Sequence, residues 1–240
     1  MNMVDEKRLY IHVCGNGACF TRPEFTVERF TYPVMTPSAA AGLIKSIYWK
    51  PECSYMIRSI SVLNEIRTAS MRKSELSKKG SMAAIVDRMR GGSGKGNMNR
   101  NDKGVATPRT TTYLTDVAYV IEVSVVVPDH PGWQWDDYCG EMSKHREILT
   151  RRLKKGQYHM SPYLGLREFR VDCTLLEDEK DVPPSFYMGR TEGLGYILHH
   201  INYPNLECYR SDLEPEAPVF WNAIMKDGRI DCTVEGVTGI

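Results

Sequence analysis

The sequence runs to 240 residues, 42% of them apolar and 25% charged, with a formal net charge of +1. That much apolar chain supports one large domain, or a domain with a small appendage, and excludes wholesale disorder. No apolar run approaches the ~20 residues of a membrane span, and the opening MNMVDEKRLYIHV carries charges where a secretory leader needs an apolar run; a cytoplasmic protein without a membrane partner is expected.

The first strand is expected at LYIHVC, with Leu9, Ile11 and Val13 on one face. Gly15 and Gly17 end that pattern and call for a tight turn or a close backbone approach. A helix follows in TPSAAAGLIKSIYWKP, residues 36–51. Thr36 is its N-cap, Pro37 takes the first helical position, and Ala40, Leu43, Ile44 and Ile47 form the buried stripe. The helix stops on Tyr48, Trp49 and Lys50, ahead of Pro51. Tyr48 lies four residues after Ile44, so its ring is expected to pack at the edge of the stripe while its hydroxyl reaches out. Lys50 suits the negative end of the helix dipole.

A second strand is expected in YMIRSISVLNEIRTAS, 55–70, and then a long insertion, about 71–110. That insertion carries ten lysines and arginines against Glu75, Asp87 and Asp102, and contains GGSGKGNMNRNDKG, too rich in glycine and polar groups to pack. Long insertions of this kind are functional or disordered. A basic arm on a mildly acidic body suits a polyanion, a solvated surface being the plain alternative. TYLTDVAYVIEVSVVV, 112–127, is the strongest strand signal. MSKHREILTRRLKKGQ, 142–157, is a basic helix with Ile148, Leu149 and Leu153 inward and Gly156 as its stop. REFRVDCTLLE, 167–177, alternates as a strand.

This order of strand, helix, strand, arm, strand, helix, strand is the β-α-β-β-α-β pattern of a ferredoxin-like α+β fold. The same topology serves RNA-recognition motifs, whose sheet can stack bases. EDEKDVPP, 177–184, reads as a linker. GYILHHINYP and FWNAIMKDGRIDC after it suggest a small β appendage with a turn at KDG. The expected division is a domain over 1–180 carrying the arm, and a small β-rich unit over 181–240.

Seven scattered cysteines without C-x-x-C spacing read as buried, reduced thiols. His199 and His200 are neighbours, so a strand would point them to opposite faces, and no metal or cofactor is expected. No nucleophile elbow, Walker loop, HExxH or dinucleotide fingerprint is present. GGSGKG lacks the spacing and following Ser/Thr of a phosphate loop and fits nucleic-acid contact better. Tyr48 alone reads as a rim residue or half of a site, and Trp49 as core or a stacking platform. His145 is a candidate general acid or base whose helical phase with Leu149 favours packing. Asp116 has no carboxylate neighbour to support a metal role.

Several stretches together resemble one family: residues 18–51, ending in IYWKP, then VLNEIRTASMRKSE, TYLTDVAYVIE, and KHREILTRRLKKGQYHMSPYLGLREF. It is the type I-C (Dvulg) branch of the Cas5 family of CRISPR-associated RAMP proteins, and the likeness runs over about residues 8–175. The resemblance implies a ferredoxin-like RAMP domain with a small C-terminal β domain. It implies metal-independent cleavage of CRISPR repeat RNA, in which the 2′-OH attacks the scissile phosphate and leaves a 2′,3′-cyclic phosphate and a 5′-OH. The product would stay bound by its 5′ handle in a type I-C surveillance complex, whose other subunits are partners. A non-catalytic guide-RNA-binding subunit is the alternative, and a general RNA-binding domain a third. Tyr48 matches the family's proposed catalytic tyrosine, its phenol to be activated by a cation such as Lys50. The resemblance puts a lysine and a histidine in the strand after the arm, where this chain has Leu114, Thr115, Asp116, Val117 and Ala118. Lys50 and Arg109 are therefore the expected catalytic cations, and Arg22, Arg67, Arg72, Lys73 and Arg167 the expected RNA contacts.

Overall fold

The computed structural model describes residues 3–25, 27–77, 81–92, 105–127, 132, 134–201 and 218–233. It is a mixed α/β fold built on a mostly antiparallel sheet. Strand β1 (Met3–Ala18) leads through a two-residue β2 (Arg29–Phe30) to helix α1 (Pro37–Ile47) and strand β3 (Ser54–Val62). Next come β4 (Arg67–Leu76), helix α2 (Met82–Met89), the long β5 (Ala106–Val127), helix α3 (Trp135–Lys155) and β6 (Asp172–Leu176). Strands β7 (Thr191–Ile201), β8 (Pro218–Lys226) and β9 (Arg229–Asp231) follow. The sheet order is β6-β1-β5-β3-β9-β8-β7, with β2 and β4 also paired to β5.

Alternation decides which face is buried. Ile11 and Val13 of β1 lie opposite Ile121 and Tyr119 of β5, and Ile60 of β3 also faces Ile121. These residues form one core with Ala40, Leu43, Ile44 and Ile47 of α1 and Leu149 and Leu153 of α3. Each of the valine, leucine and isoleucine side chains contributes roughly 1.5–3 kcal/mol by leaving water. Gly17 permits the expected close approach: a Cβ there would stand 2.7 Å from the Phe169 ring.

Several elements differ from the sequence expectation: β1 runs through Gly15 and Gly17 to Ala18, and β5 starts at Ala106 rather than Thr112. The single strand expected over 55–70 is two, because β5 turns at Asp116 (φ 52°), whose carbonyl accepts from Asn64 Nδ2 at 2.9 Å. Strand β3 pairs with one end of β5, and β4 with the other, Arg67–Leu76 opposite Thr115–Ala106. The base of the arm is thus a regular hairpin, and α2 beyond it has no buried residue; most of the glycine-rich run, 93–104, lies outside the described residues. Helix α3 starts at Trp135 rather than Met142, since Gln134 and Asp137 form a capping box and Asp136 and Asp137 meet the positive helix end. Strand β6 starts at Asp172 rather than Arg167, because 163–170 loops back, with Leu164 N–H donating to Phe169 O at 2.8 Å.

The segment after β6 lays Val182 on the sheet face away from the helices, against Leu63, Ala118 and Val120. Strands β8 and β9 meet at Asp227 and Gly228, both at positive φ as a tight hairpin requires, and β9 pairs with β3. A bulge between Leu198 and His200 overturns the expected divergence of the two histidines, leaving their Nδ1 atoms 2.8 Å apart. Among the described residues no group of three or more His, Cys, Asp or Glu is placed to hold a metal ion. Cys19, Cys53 and Cys232 are buried, but Cys139 is exposed, on the outer side of α3; Cys208 lies outside the described residues. Among the described residues no helix is long and apolar enough to cross a membrane.

Candidate active site

Helix α1 delivers Tyr48 to its position. Thr36 Oγ1 accepts from Ala39 N at 3.2 Å at the front of the helix. At the rear, Tyr48 is already extended (φ −140°, ψ 118°) while its N–H still donates to Ile44 O at 3.0 Å. Tyr55 Oη donates to the Tyr48 carbonyl at 2.8 Å, and Arg152 Nη1 to the Ile47 carbonyl at 2.8 Å. The last carbonyls of the helix are thereby satisfied, and the chain beyond is pinned.

The Tyr48 hydroxyl does not reach outward as expected. The residue is 2% exposed, and its hydroxyl lies 2.8 Å from Nδ1 of His145, itself 1% exposed. His145, Leu149 and Arg152 share one face of α3, so the helix that buries Leu149 carries His145 into the core and Arg152 over the Tyr48 ring, 5.1 Å from its centroid. His145 Nε2 lies 3.5 Å from Glu141 Oε2, and Lys144 Nζ donates to that same oxygen at 2.7 Å. A histidine does meet this tyrosine, but from α3 rather than from Leu114–Ala118, which lie toward the other end of β5.

Burial sets the protonation states. It pushes the Tyr48 phenol up, and the pull of Arg152 does not reverse this. The expectation that Lys50 would activate the phenol is corrected: the cation facing the ring is Arg152, and desolvation outweighs it. Burial, with Lys144 second, holds the His145 imidazole below its ordinary range. At neutral pH the pair is a phenol and a neutral imidazole, able to pass one proton along a bond already formed.

The other expected residues divide into two places. Lys50 is exposed two residues past Tyr48, and its charge acts on His145. Trp49 is 39% exposed and stacks on His159, so it is not core. Arg109 sits elsewhere, its Nη1 3.6 Å from Glu75 and 3.4 Å from the Val27 carbonyl. It is sixteen residues along β5 from Val125, which pairs with Tyr55 beside Tyr48; at ~3.3 Å per residue the strand path is about 50 Å. Arg109 and Tyr48 are not brought together.

At the base of the arm, Arg109 instead joins Arg29, which also pairs with Glu75, and Lys73, bound to Glu168 at 2.6 Å. Arg22 lies over the Tyr32 ring at 4.9 Å, and Arg67 pairs with Glu65 at 2.7 Å. Arg72 neighbours Lys73 on β4 and so points to the opposite face. Arg167 is exposed in the loop before β6. Sequence reasoning missed Arg29, which the parallel pairing of β2 with Thr111 and Thr112 places beside the arm.

The family model described as CRISPR-associated protein Cas5, of the Cas5d kind, matches residues 9–233. The chain belongs to the Cas5 family, in its Cas5d branch. It is 36% identical over 227 residues to the CRISPR pre-crRNA endoribonuclease Cas5d of Mannheimia succiniciproducens, covering 93% of this chain and 94% of that one. It is 40% identical over 163 residues to the protein of the same name from Thermus thermophilus, covering 68% of this chain and 61% of the relative. The fold is similar to the crystal structure of a CRISPR-associated protein, with a TM-score of 0.61 at 24% identity, covering 96% of this chain and 92% of that one.

Proposed function

We propose that this Cas5d-branch protein is a pre-crRNA endoribonuclease that cuts CRISPR repeat RNA by metal-independent attack of a 2′-OH, with Tyr48 and His145 as its proton-handling pair. The observation that carries the reading is the 2.8 Å contact between the Tyr48 hydroxyl and His145 Nδ1, in a chain of this family. The 2′ oxygen bonds to phosphorus and the bond to the 5′ oxygen breaks. Tyr48 takes the 2′ proton as its own passes to Nδ1, so the phenol is regenerated and the imidazole becomes imidazolium. The departing 5′ oxygen takes its proton from solvent. Lys50 and Arg152 supply positive charge for the phosphorane. Arg152 lies over the Tyr48 ring, and in this reading the guanidinium swings toward the phosphate as the 2′-OH approaches the buried tyrosine.

The cations at the base of the arm, Arg22, Arg29, Lys73 and Arg109, with Arg67 and Arg167, form the proposed RNA-holding surface, while Arg72, on the other face of β4, lies apart from it. Most of them are paired to carboxylates that a phosphate would replace. In this reading Arg109 binds RNA and takes no part in the cut. The resemblance further suggests that the product is kept by its 5′ handle within a type I-C surveillance complex, in the cytoplasm. We read residues 1–180 as a ferredoxin-like RAMP domain and 181–240 as a small β unit. Support comes from the strand order β6-β1-β5-β3, with α1 and α3 packed on one core.

Incubating the pure protein with repeat hairpin RNA in EDTA tests the cut. A product with a 2′,3′-cyclic phosphate is expected, and none when the scissile nucleotide is 2′-deoxy. An intact ribonucleotide strand, or cleavage of the 2′-deoxy strand, overturns the reading. The burial of Tyr48 favours one alternative, a non-catalytic guide-RNA-binding subunit; RNA binding without cleavage would establish it.

A further inference from the structure

Glu141 stands one helical turn before His145 on α3, with its Oε2 3.5 Å from His145 Nε2. That nitrogen is buried and makes no hydrogen bond, while Nδ1 on the other side of the ring meets Tyr48 at 2.8 Å. The imidazole is therefore strung between a carboxylate and a phenol. Tyr48 can donate to Nδ1 only if the ring proton sits on Nε2, and a carboxylate beside Nε2 favours that tautomer.

We propose that Glu141 is a positioning residue for RNA cleavage, holding His145 with its proton on Nε2 so that Nδ1 is open to the Tyr48 proton. This rests on Tyr48 and His145 being the reacting pair. At 3.5 Å the contact is longer than a formed hydrogen bond. When the Tyr48 proton arrives on Nδ1, the ring becomes a cation, and the carboxylate charge draws Nε2–H in. The stabilisation thus grows as the reaction proceeds, which is what accelerates a step rather than merely folding a helix. Other charged groups also face the ring. Lys144 opposes the cation from α3 while sharing the Glu141 oxygen, Lys50 and Glu52 act from the turn after α1, and Arg152 lies across the Tyr48 ring. Of the two carboxylates, Glu141 is the one with an oxygen at the ring nitrogen.

The test is single-turnover cleavage of repeat RNA by the parent and by Glu141→Gln between about pH 5 and about pH 9, with RNA affinity measured alongside. The rate requires neutral His145, so it rises with pH through the imidazole pKa. Losing the carboxylate lowers that pKa, so the acid limb should move to lower pH while the plateau falls roughly tenfold. Affinity should hold, and Glu141→Asp should recover part of the rate. An unmoved limb, whether or not the plateau falls, overturns the proposal. Nitrogen-15 NMR of the imidazoles gives a second reading that needs no activity. Nε2–H in the parent and loss of that preference in Glu141→Gln support it, and the same tautomer in both sinks it. A parent that fails to cut RNA would refute the proposed function, and the NMR would still decide whether Glu141 sets the tautomer.

Discussion

Tyr48 and His145 are polar residues on the apolar stripes of two helices, and each satisfies the other. A buried hydroxyl or imidazole without a partner costs about 1–3 kcal/mol, so α1 and α3 pack in the one register that joins them. Tyr48→Phe keeps the ring and removes the hydroxyl, leaving Nδ1 unpartnered. Cleavage should fall by roughly 10²–10⁴-fold, as loss of an acid–base group does, with repeat-RNA affinity unchanged. Single-turnover rates and filter binding check this, and undiminished cleavage would remove Tyr48 from the chemistry. Part of this was legible beforehand. His145 sits four residues from Leu149, a polar residue in a buried stripe, and such a residue implies a partner. That the partner is Tyr48 was not legible, because the two are 97 positions apart in the chain.

Among the elements, α1 and the end of α3 are bounded by local signals and match their expectation. The capped start of α3 lies seven residues before the expected one, and the boundaries set by contacts do not match. Helix α1 has its cap and its proline in the sequence, and α3 ends at Gly156 in the left-handed region (φ 62°). The break between β3 and β4 has no such mark, since it follows the turn of β5 at Asp116. The loop 163–170 is likewise a tertiary feature. It is held by Gly165 at φ 78°, where a Cβ would overlap the Cys19 carbonyl. Cys19 N–H in turn donates to Leu164 O at 3.1 Å. Gly165→Ala combines a disfavoured backbone with a backbone clash and should cost upwards of about 2 kcal/mol. A urea melt checks this, and a midpoint within error of the parent would mean that the loop shifts freely.

At the scale of the molecule, the late strands join the early ones through a charged knot on the sheet face away from the helices. Glu122, 2% exposed, accepts from Ser59 at 2.6 Å, Arg8 at 2.6 Å and Arg229 at 2.5 Å. It floors a cleft of about 850 Å³ between the sheet and the segment after β6. The three donors come from β1, β3 and β9, so Glu122 ties together strands far apart in sequence. Glu122→Ala would leave Ser59 unpaired and the half-exposed Arg8 without its carboxylate, while Arg229 keeps Glu179 at 2.8 Å, with an expected loss of roughly 1–2 kcal/mol. Chemical denaturation measures it, and a loss under about 0.5 kcal/mol would reduce the cluster to surface decoration.

Caps and alternation by themselves determined the buried faces of β1, α1 and β5 and the strand-helix-strand order of the main elements, and the resemblance of whole motifs gave the family and pointed to the end of α1. Those signals act over a few residues, within reach of backbone geometry and side-chain periodicity. Folding alone decided the rest: that Tyr48 turns inward to His145, that Arg152 and not Lys50 covers its ring, and that Arg109 stands at the far end of β5. Each is a contact between elements remote in sequence. Its partners are selected by how the apolar stripes of the helices settle on the sheet, and no spacing along the chain records that fit.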